Sequence, residues 1–264
     1  MGRAMAKENS EKLLCVVVIQ ARRGSSRLPD KILKPLAGTP VLARVIDRCS
    51  KITGVDRVIC AIPEDDYNDP VAGLALASGA SVSRGSEQDV LARYMGAVED
   101  IDCQYVMRVT SDCPLLDPAV CAKLLTDVIE NRVEYGATAL WPHGLDCEVF
   151  TRDLLVQAYN EATHPGDREH VTLWMKRRCL GRDFILRPDK NYMEEYRWVL
   201  DYPEDLNFLE VLVPLLPKYP AQTGWQEVMA IVDAHPGLKA LNSSKIEEWA
   251  QKNRKIYAEA AEAE

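Results

Sequence analysis

Residues 14–20, LCVVVIQ, form a run with no charge, rich in β-branched side chains and polar only at its end. A strand of that composition is buried on both faces, which places it inside a sheet covered by helices on each side. The chain then alternates helix and strand. Thr39 and Pro40 are expected to open a helix with Val41, Leu42, Val45, Ile46 and Cys49 along one face. RVICAIP (57–63) predicts a second strand, 70–78 a small-residue helix, ASVSRG a third strand, 86–100 a helix and QYVMRVT (104–110) another strand. Asp117-Pro118 then caps a helix that turns Val120, Cys121, Leu124, Leu125, Val128 and Ile129 inward. Strands alternating with helices argue for an α/β fold: a Rossmann-like, doubly wound, mostly parallel sheet. Ligands of such sheets sit beyond the carboxyl ends of the strands.

From 135 the rhythm changes. YGATAL and CEVF read as strands around the turn WPHG, followed by helices near 151–162 and 167–179 and by strands DFILR and RWVL. This predicts an α/β excursion over about 135–190 that rejoins the sheet at 197–200. Helices near 203–215 and 222–233 come next. The expected layout is a polar extension over 1–12, one large domain over 13–243 and a charged C-terminal helix over 244–264.

The carboxyl end of the first strand runs into a loop with five basic residues (Arg22, Arg23, Arg27, Lys31, Lys34) against one acid, Asp30, in a chain of net charge -8. That net charge argues against general affinity for nucleic acid or anionic membranes, so anion binding has to be local. Gly24, Ser25 and Ser26 allow a tight turn with N–H and hydroxyl donors, and Arg22, Arg27 and Lys31 add charge that could grip a polyphosphate. From charge alone the loop reads equally as a solvated basic turn. Neither GxxxxGK[ST] nor GxGxxG is present. As an anion site the loop would hold its cations unpaired, so loss of Lys31 should alter stability little. Arg23, beside Arg22 on an extended segment, should point the other way.

Two acids stand where predicted strands spill into loops: Asp112 after VMRVT and Asp201 after RWVL. Together they could hold Mg²⁺, which uses few protein carboxylates. Locally, Asp112 also reads as a turn residue and Asp201 as the cap of a helix opening at Pro203. The eight cysteines form no CxxC pair and the four histidines no zinc spacing, so reduced thiols in the cytoplasm are expected. The apolar run at Leu13–Ile19 is too short to span a membrane and lacks a signal-peptide cleavage pattern.

IQARRGSSRLPDKILKPLAGTPVL, RVTSDCPLLDP, HGLDCEVF, DREHVT and RWVLDYPEDL occur in that order. Over about residues 14–212 the chain thereby resembles the cytidylyltransferases of the spore-coat polysaccharide biosynthesis type. These are relatives of the CMP-sugar-acid (acylneuraminate and 3-deoxy-manno-octulosonate) synthetases. The resemblance implies a glycosyltransferase-A-type nucleotidyltransferase fold and Mg²⁺-dependent transfer of CMP from CTP to an acidic acceptor such as a sugar acid, with release of pyrophosphate. It implies that Ala21, Arg22, Ser25, Arg27 and Lys31 bind phosphates, with Arg22 and Lys31 catalytic. Asp112 and Asp201 would be catalytic and hold Mg²⁺. Arg84, Asp89 and Arg93, in SRGSEQDVLARY, would lie near the nucleotide. Asp146, Glu148, Arg168, Glu169 and His170 would lie on the acceptor side. The excursion would support a homodimer, its aromatic residues Trp141, Phe150, Tyr159, Trp174 and Phe184 supplying contact area. His143 stands where relatives commonly carry aspartate.

Three other readings fit an α/β nucleotide binder less well. A metal-dependent glycosyltransferase normally wants a D-x-D, where SDC offers one carboxylate. UTP- or dTTP-dependent transferases commonly begin with G-x-G-T-R. A catalytically idle homologue would have lost Lys31 or an aspartate.

Overall fold

The computed structural model describes residues 13–217 and 222–248. The sequence alternation becomes a seven-stranded mixed sheet. Its strands are β1 (Leu13–Gln20), β4 (Arg57–Pro63), β5 (Ser81–Gly85), β6 (Cys103–Thr110), β7 (Tyr135–Thr138), β8 (Glu148–Thr151) and β9 (Phe184–Leu186). The order across the sheet is β5-β4-β1-β6-β8-β7-β9. Strand β8 alone runs against its neighbours, pairing antiparallel with both β6 and β7, while the other pairs are parallel.

Strand β1 is central, hydrogen-bonded to β4 on one side and β6 on the other. Its Cys15, Val17 and Ile19 face helices α1 (Val41–Cys49), α2 (Asp69–Ala77) and α4 (Pro118–Asn131). Its Val16 and Val18 face α3 (Val90–Ala97), α5 (Arg152–Glu161) and α7 (Leu173–Cys179). Each of these five side chains is fully buried, a contribution of roughly 1.5–3 kcal/mol apiece for the larger ones. That double burial is why the strand contains no polar residue before Gln20, whose side chain meets the cleft instead.

Four sequence expectations need correction. Thr39–Pro40 does not belong to the helix: it is a short strand, β3, paired with β2 (Pro35–Leu36), and α1 starts at Val41. The 135–190 segment is no excursion, because β7, β8 and β9 continue the same sheet. RWVL is not a strand. Trp198 and Leu200 are buried in a third core cluster with α8 (Pro203–Leu212), α9 (Trp225–Ala234) and α10 (Pro236–Ala240), and only Arg197 makes an isolated bridge, to His143. A four-residue apolar run satisfies a buried irregular segment as well as a buried strand, and here helices cover it. Finally, the single helix expected over 167–179 is broken into α6 (Pro165–His170) and α7. The break is a γ-turn with positive φ at buried Val171, φ 64° and ψ −55°, closed by Thr172 N–H donating to the His170 carbonyl at 2.7 Å. That conformation is strained for a β-branched residue, and such strain concentrates near functional sites.

All eight cysteines are buried thiols that form no disulfide. Among the described residues no helix is long and apolar enough to cross a membrane. The predicted C-terminal helix is present over 243–248. Its continuation over 249–264, like the extension over 1–12, lies outside the described residues.

Candidate active site

The carboxyl ends of β1 and β6 open into a cleft of about 840 Å³. Its floor is Gln20, Ala21, Thr110, Ser111 and Asp112, and the basic loop forms one wall. Asp30 takes a left-handed conformation, φ 56°, and a single 3₁₀ turn follows at Lys31–Leu33. Ile32 anchors that turn in the core, leaving Lys31 directed at the cleft.

Lys31 Nζ donates to Asp112 Oδ2 at 2.6 Å and to Asp201 Oδ1 at 2.8 Å. The lysine is therefore paired, contrary to the expectation of an unpaired cation. Burial alone would drive its pKa down, yet the two carboxylates outweigh burial and raise it. Burial likewise pushes Asp112 up, but the Lys31 charge and hydrogen bond, with the Thr110 hydroxyl, hold it at about 2. Asp201 is also lowered: burial and Asp112 oppose ionisation, while Lys31 and Arg27 prevail. Arg27 Nη2 lies 2.9 Å from Asp201 Oδ1, its guanidinium stacked 4.7 Å from the Tyr202 ring centre. Asp201 does not cap α8. Asp205 does that, accepting from the Asp201 and Tyr202 N–H groups at 3.0 Å.

The other predicted site residues divide in two. Arg22, Ser25, Arg93, Glu169 and His170 line the same cleft. Arg22 reaches Glu87 across the mouth at 3.8 Å, both side chains more than half exposed. Arg93 is buried, holds the Ser86 carbonyl at 2.6 Å and leaves its Nε without a partner. Arg84, Asp89, Arg168, Asp146 and Glu148 do not line it. Arg84 pairs with Asp69 at 2.5 Å. Asp89 caps α3 through the Ala92 N–H and takes two hydrogen bonds from Arg168, at 2.9 and 2.6 Å. These two residues thus tie the 86–89 loop to α6, one cleft wall to another. Asp146 accepts from the Gly144 N–H. Glu148 is buried among Arg108, Lys176, Tyr135 and Thr172; burial opposes its ionisation, but Arg108 and Lys176 hold it far below the usual carboxylate range. Arg23 faces away, bonded to Asp30 and stacked on Tyr67.

Sequence reading missed Arg197. It is 2% exposed, donates to Asp205 at 2.8 and 2.9 Å and reaches Asp201 Oδ2 at 3.4 Å. Its Nη1 lies 2.8 Å from His143 Nδ1. A guanidinium only donates, so that ring nitrogen accepts and His143 is neutral there. Burial, with Arg197 beside it, keeps the imidazole pKa low. The signal for Arg197 was a charged residue at the head of an apolar run. Gln20, Glu87, Gln88, Ser111 and Pro165 also line the cleft, with no sequence pattern that marks them.

The cleft lining carries four cations (Arg22, Arg27, Lys31, Arg93) and four anions (Glu87, Asp112, Glu169, Asp201). Such a balanced surface has little net attraction for a polyanion unless a further cation joins it. Among the described residues no group of three or more His, Cys, Asp or Glu converges on one point. The pair Asp112 and Asp201 nevertheless fits Mg²⁺, which needs one or two carboxylates and completes its shell with water and phosphate oxygens.

Comparison with known proteins identifies the family. The family model for cytidylyltransferases matches residues 16–256. The chain is 26% identical over 226 residues to the spore coat polysaccharide biosynthesis protein SpsF of Bacillus subtilis, covering 83% of this chain and 94% of that one. It is 31% identical over 185 residues to the 3-deoxy-manno-octulosonate cytidylyltransferase of Chromohalobacter salexigens, covering 65% and 70% of the two chains. The solved structure of a cytidylyltransferase from Leptospira borgpetersenii superposes with a TM-score of 0.80 at 25% identity, over 86% of this chain and 96% of that one. A mixed α/β sheet with a basic loop at the end of its first strand, matched over nearly its whole length by one family, makes this chain a member of the cytidylyltransferases.

Proposed function

We propose that the protein transfers CMP from CTP to a hydroxyl of a carboxylate-bearing, sugar-acid-like acceptor and releases pyrophosphate, using Mg²⁺. The observation that carries this reading is Lys31 bridging Asp112 and Asp201 at the end of the basic loop. Ala21, Arg22, Ser25, Arg27 and Lys31 receive the triphosphate. The acceptor hydroxyl oxygen attacks the α-phosphorus and gives up its proton to solvent, the bond from that phosphorus to the bridging oxygen of the β-phosphate breaks, and charge builds on the departing pyrophosphate. Lys31, held between two carboxylates, and Arg22, at the cleft mouth, meet that charge; the lysine is the kind of preorganised donor that lowers a barrier most. Mg²⁺ held by Asp112 and Asp201 would neutralise phosphate oxygens and convert the balanced cleft into an attractive one.

Arg93 and the 86–89 loop, with Asp89 and Arg84 behind it, serve the nucleoside end. Glu169 and His170 serve the acceptor end, on a helix that Arg168 fixes in place. Asp146 and Glu148 support that end from beneath. The acidic acceptor is inferred from the relative that acts on 3-deoxy-manno-octulosonate, and a role in surface polysaccharide precursors from the spore coat relative. The working form is a cytoplasmic homodimer joined through the 135–190 segment, where Tyr159 is exposed; Phe150, expected to add contact area, is instead fully buried in the core of the protomer. A thermal-shift comparison tests the nucleotide: CTP with Mg²⁺ should raise Tm more than ATP, GTP or UTP at equal concentration. Equal shifts from all four would overturn the cytidine assignment.

A further inference from the structure

Gln20 closes β1 on the cleft floor. Its Oε1 lies 3.2 Å from Arg108 Nε and 3.3 Å from the Tyr94 hydroxyl. Because a guanidinium has donors and no acceptor, the amide oxygen has to face Arg108; the flipped amide would set N–H against N–H. Arg108 cannot swing away either. Its Nη1 donates to Glu148 at 2.6 Å, and Glu148 is itself gripped by the Tyr135 hydroxyl at 2.6 Å, Thr172 at 2.9 Å and Lys176 at 2.9 Å. Tyr94 is fully buried on α3. This chain of polar contacts runs from α7 across β7, β8 and β6 to a single amide and locks it.

The other end of that amide is open. Among the described residues the Gln20 Nε2 has no hydrogen-bond partner, and Gln20 lines the cleft. A core glutamine would have both ends satisfied, since a buried amide N–H left unpaired is costly. Here only the oxygen is satisfied by protein. The amide also lies on the α3 face of the sheet, with Tyr94, whereas the turn bearing Lys31 packs through Ile32 on the α1 face. Its donors therefore address a different part of the substrate from the phosphate cations.

We propose that Gln20 is a specificity-determining residue whose amide N–H₂, fixed by Arg108, donates to a carbonyl or carboxylate oxygen of the substrate. Two parts of the substrate carry such an oxygen: the pyrimidine carbonyl of the nucleotide and the carboxylate of the acceptor. The proposal rests on the cytidylyl-transfer reading.

Gln20→Glu tests it, because the variant keeps an oxygen for Arg108 and turns the cleft-facing donor into an anionic acceptor. Its Tm should stay at or above that of the wild type, while kcat/KM falls by roughly 10²-fold, as when a site's polar group is mismatched to its ligand. A contact with the pyrimidine places the loss in the KM for CTP and in a smaller CTP-induced Tm shift. A contact with the acceptor leaves the CTP shift intact and raises the acceptor KM. Gln20→Met keeps the length and removes the amide, and should give the same KM pattern with a lower Tm, since Arg108 loses an acceptor. Both KM values within twofold of wild type in either folded variant would overturn the proposal. No turnover by the wild type with CTP would instead count against the cytidylyl reading. The Tm shifts of Gln20→Glu with whichever nucleotide does bind and with the carboxylate acceptors, compared with wild type, would then decide on Gln20 alone: both shifts unchanged would overturn its role.

Discussion

Replacing Lys31 by alanine removes the ammonium that Asp112 and Asp201 share, and the structure gives the cost a scale. Asp112 is held at about 2 instead of its ordinary 3.8. At about 1.4 kcal/mol for each pH unit that difference is worth roughly 2–3 kcal/mol to the folded state. The side chain is 19% exposed, so little of that is lost to solvent screening. Asp201 keeps Arg27 at 2.9 Å and Arg197 at 3.4 Å, so it adds less. Lys31→Ala should therefore lose about 2–3 kcal/mol at neutral pH, or roughly 5–10 °C in Tm for a chain of this size. The sign is set by two opposite shifts. The lowered carboxylate stabilises fully above its unfolded value of 3.8 and loses that contribution as pH falls through about 2. The raised lysine stabilises fully below its unfolded value of 10.5 and loses its contribution only as pH rises beyond the folded pKa. Urea titrations of both proteins at pH 6, 7.5 and 9 should show a constant gap. In the Asp112→Asn background the same replacement should cost much less, because the carboxylate left unpaired is gone. A gap within ±0.5 kcal/mol at all three pH values would refute the argument and restore the picture of an idle surface lysine.

Other expected outcomes rest on the same contacts. Asp112→Asn and Asp201→Asn should each abolish most turnover in a coupled pyrophosphate assay while circular dichroism stays native. Activity retained by Asp201→Asn would remove that residue from the metal site. Lys31→Ala should lower kcat by roughly 10²–10³, whereas Arg23→Ala, whose guanidinium faces Asp30 and Tyr67, should stay within about twofold of wild type in the same assay. Arg197→Met should lose roughly 3–5 kcal/mol by urea denaturation, because fully buried Asp205 is left without its ion pair.

How much of this could be read from residues alone depended on where the partners lie. The parallel strands β1 and β4 were legible because burial on two faces leaves a local signature of apolar residues, and β6 because Tyr105, Val106, Met107 and Val109 keep that signature around Gln104 and Arg108. The Asp117 cap of α4 was legible for a similarly local reason: its hydrogen bonds go to Ala119 and Val120, two and three residues on. The basic loop was legible as a charge cluster, but its pairing was not, since Lys31 meets carboxylates 81 and 170 residues away. Asp201 looked like a helix cap because Pro203 follows it. Asp205 does the capping, and nothing local distinguishes two aspartates four residues apart. RWVL reads as a strand because buried coil and buried strand share a composition. Arg197 and Gln20 stayed hidden because their roles come from neighbours such as Asn242 and Arg108 on other segments.

The central claim is that the cleft moves a cytidylyl group, and transfer of label tests it most directly. With CTP labelled at the α-phosphorus, Mg²⁺ and a panel of sugar acids and other carboxylate-bearing acceptors, one acceptor should take up the label as a CMP conjugate. Pyrophosphate should appear in equal amount, and Asp112→Asn should give neither. Release of label as free CMP, as inorganic phosphate, or not at all with every acceptor would contradict the account.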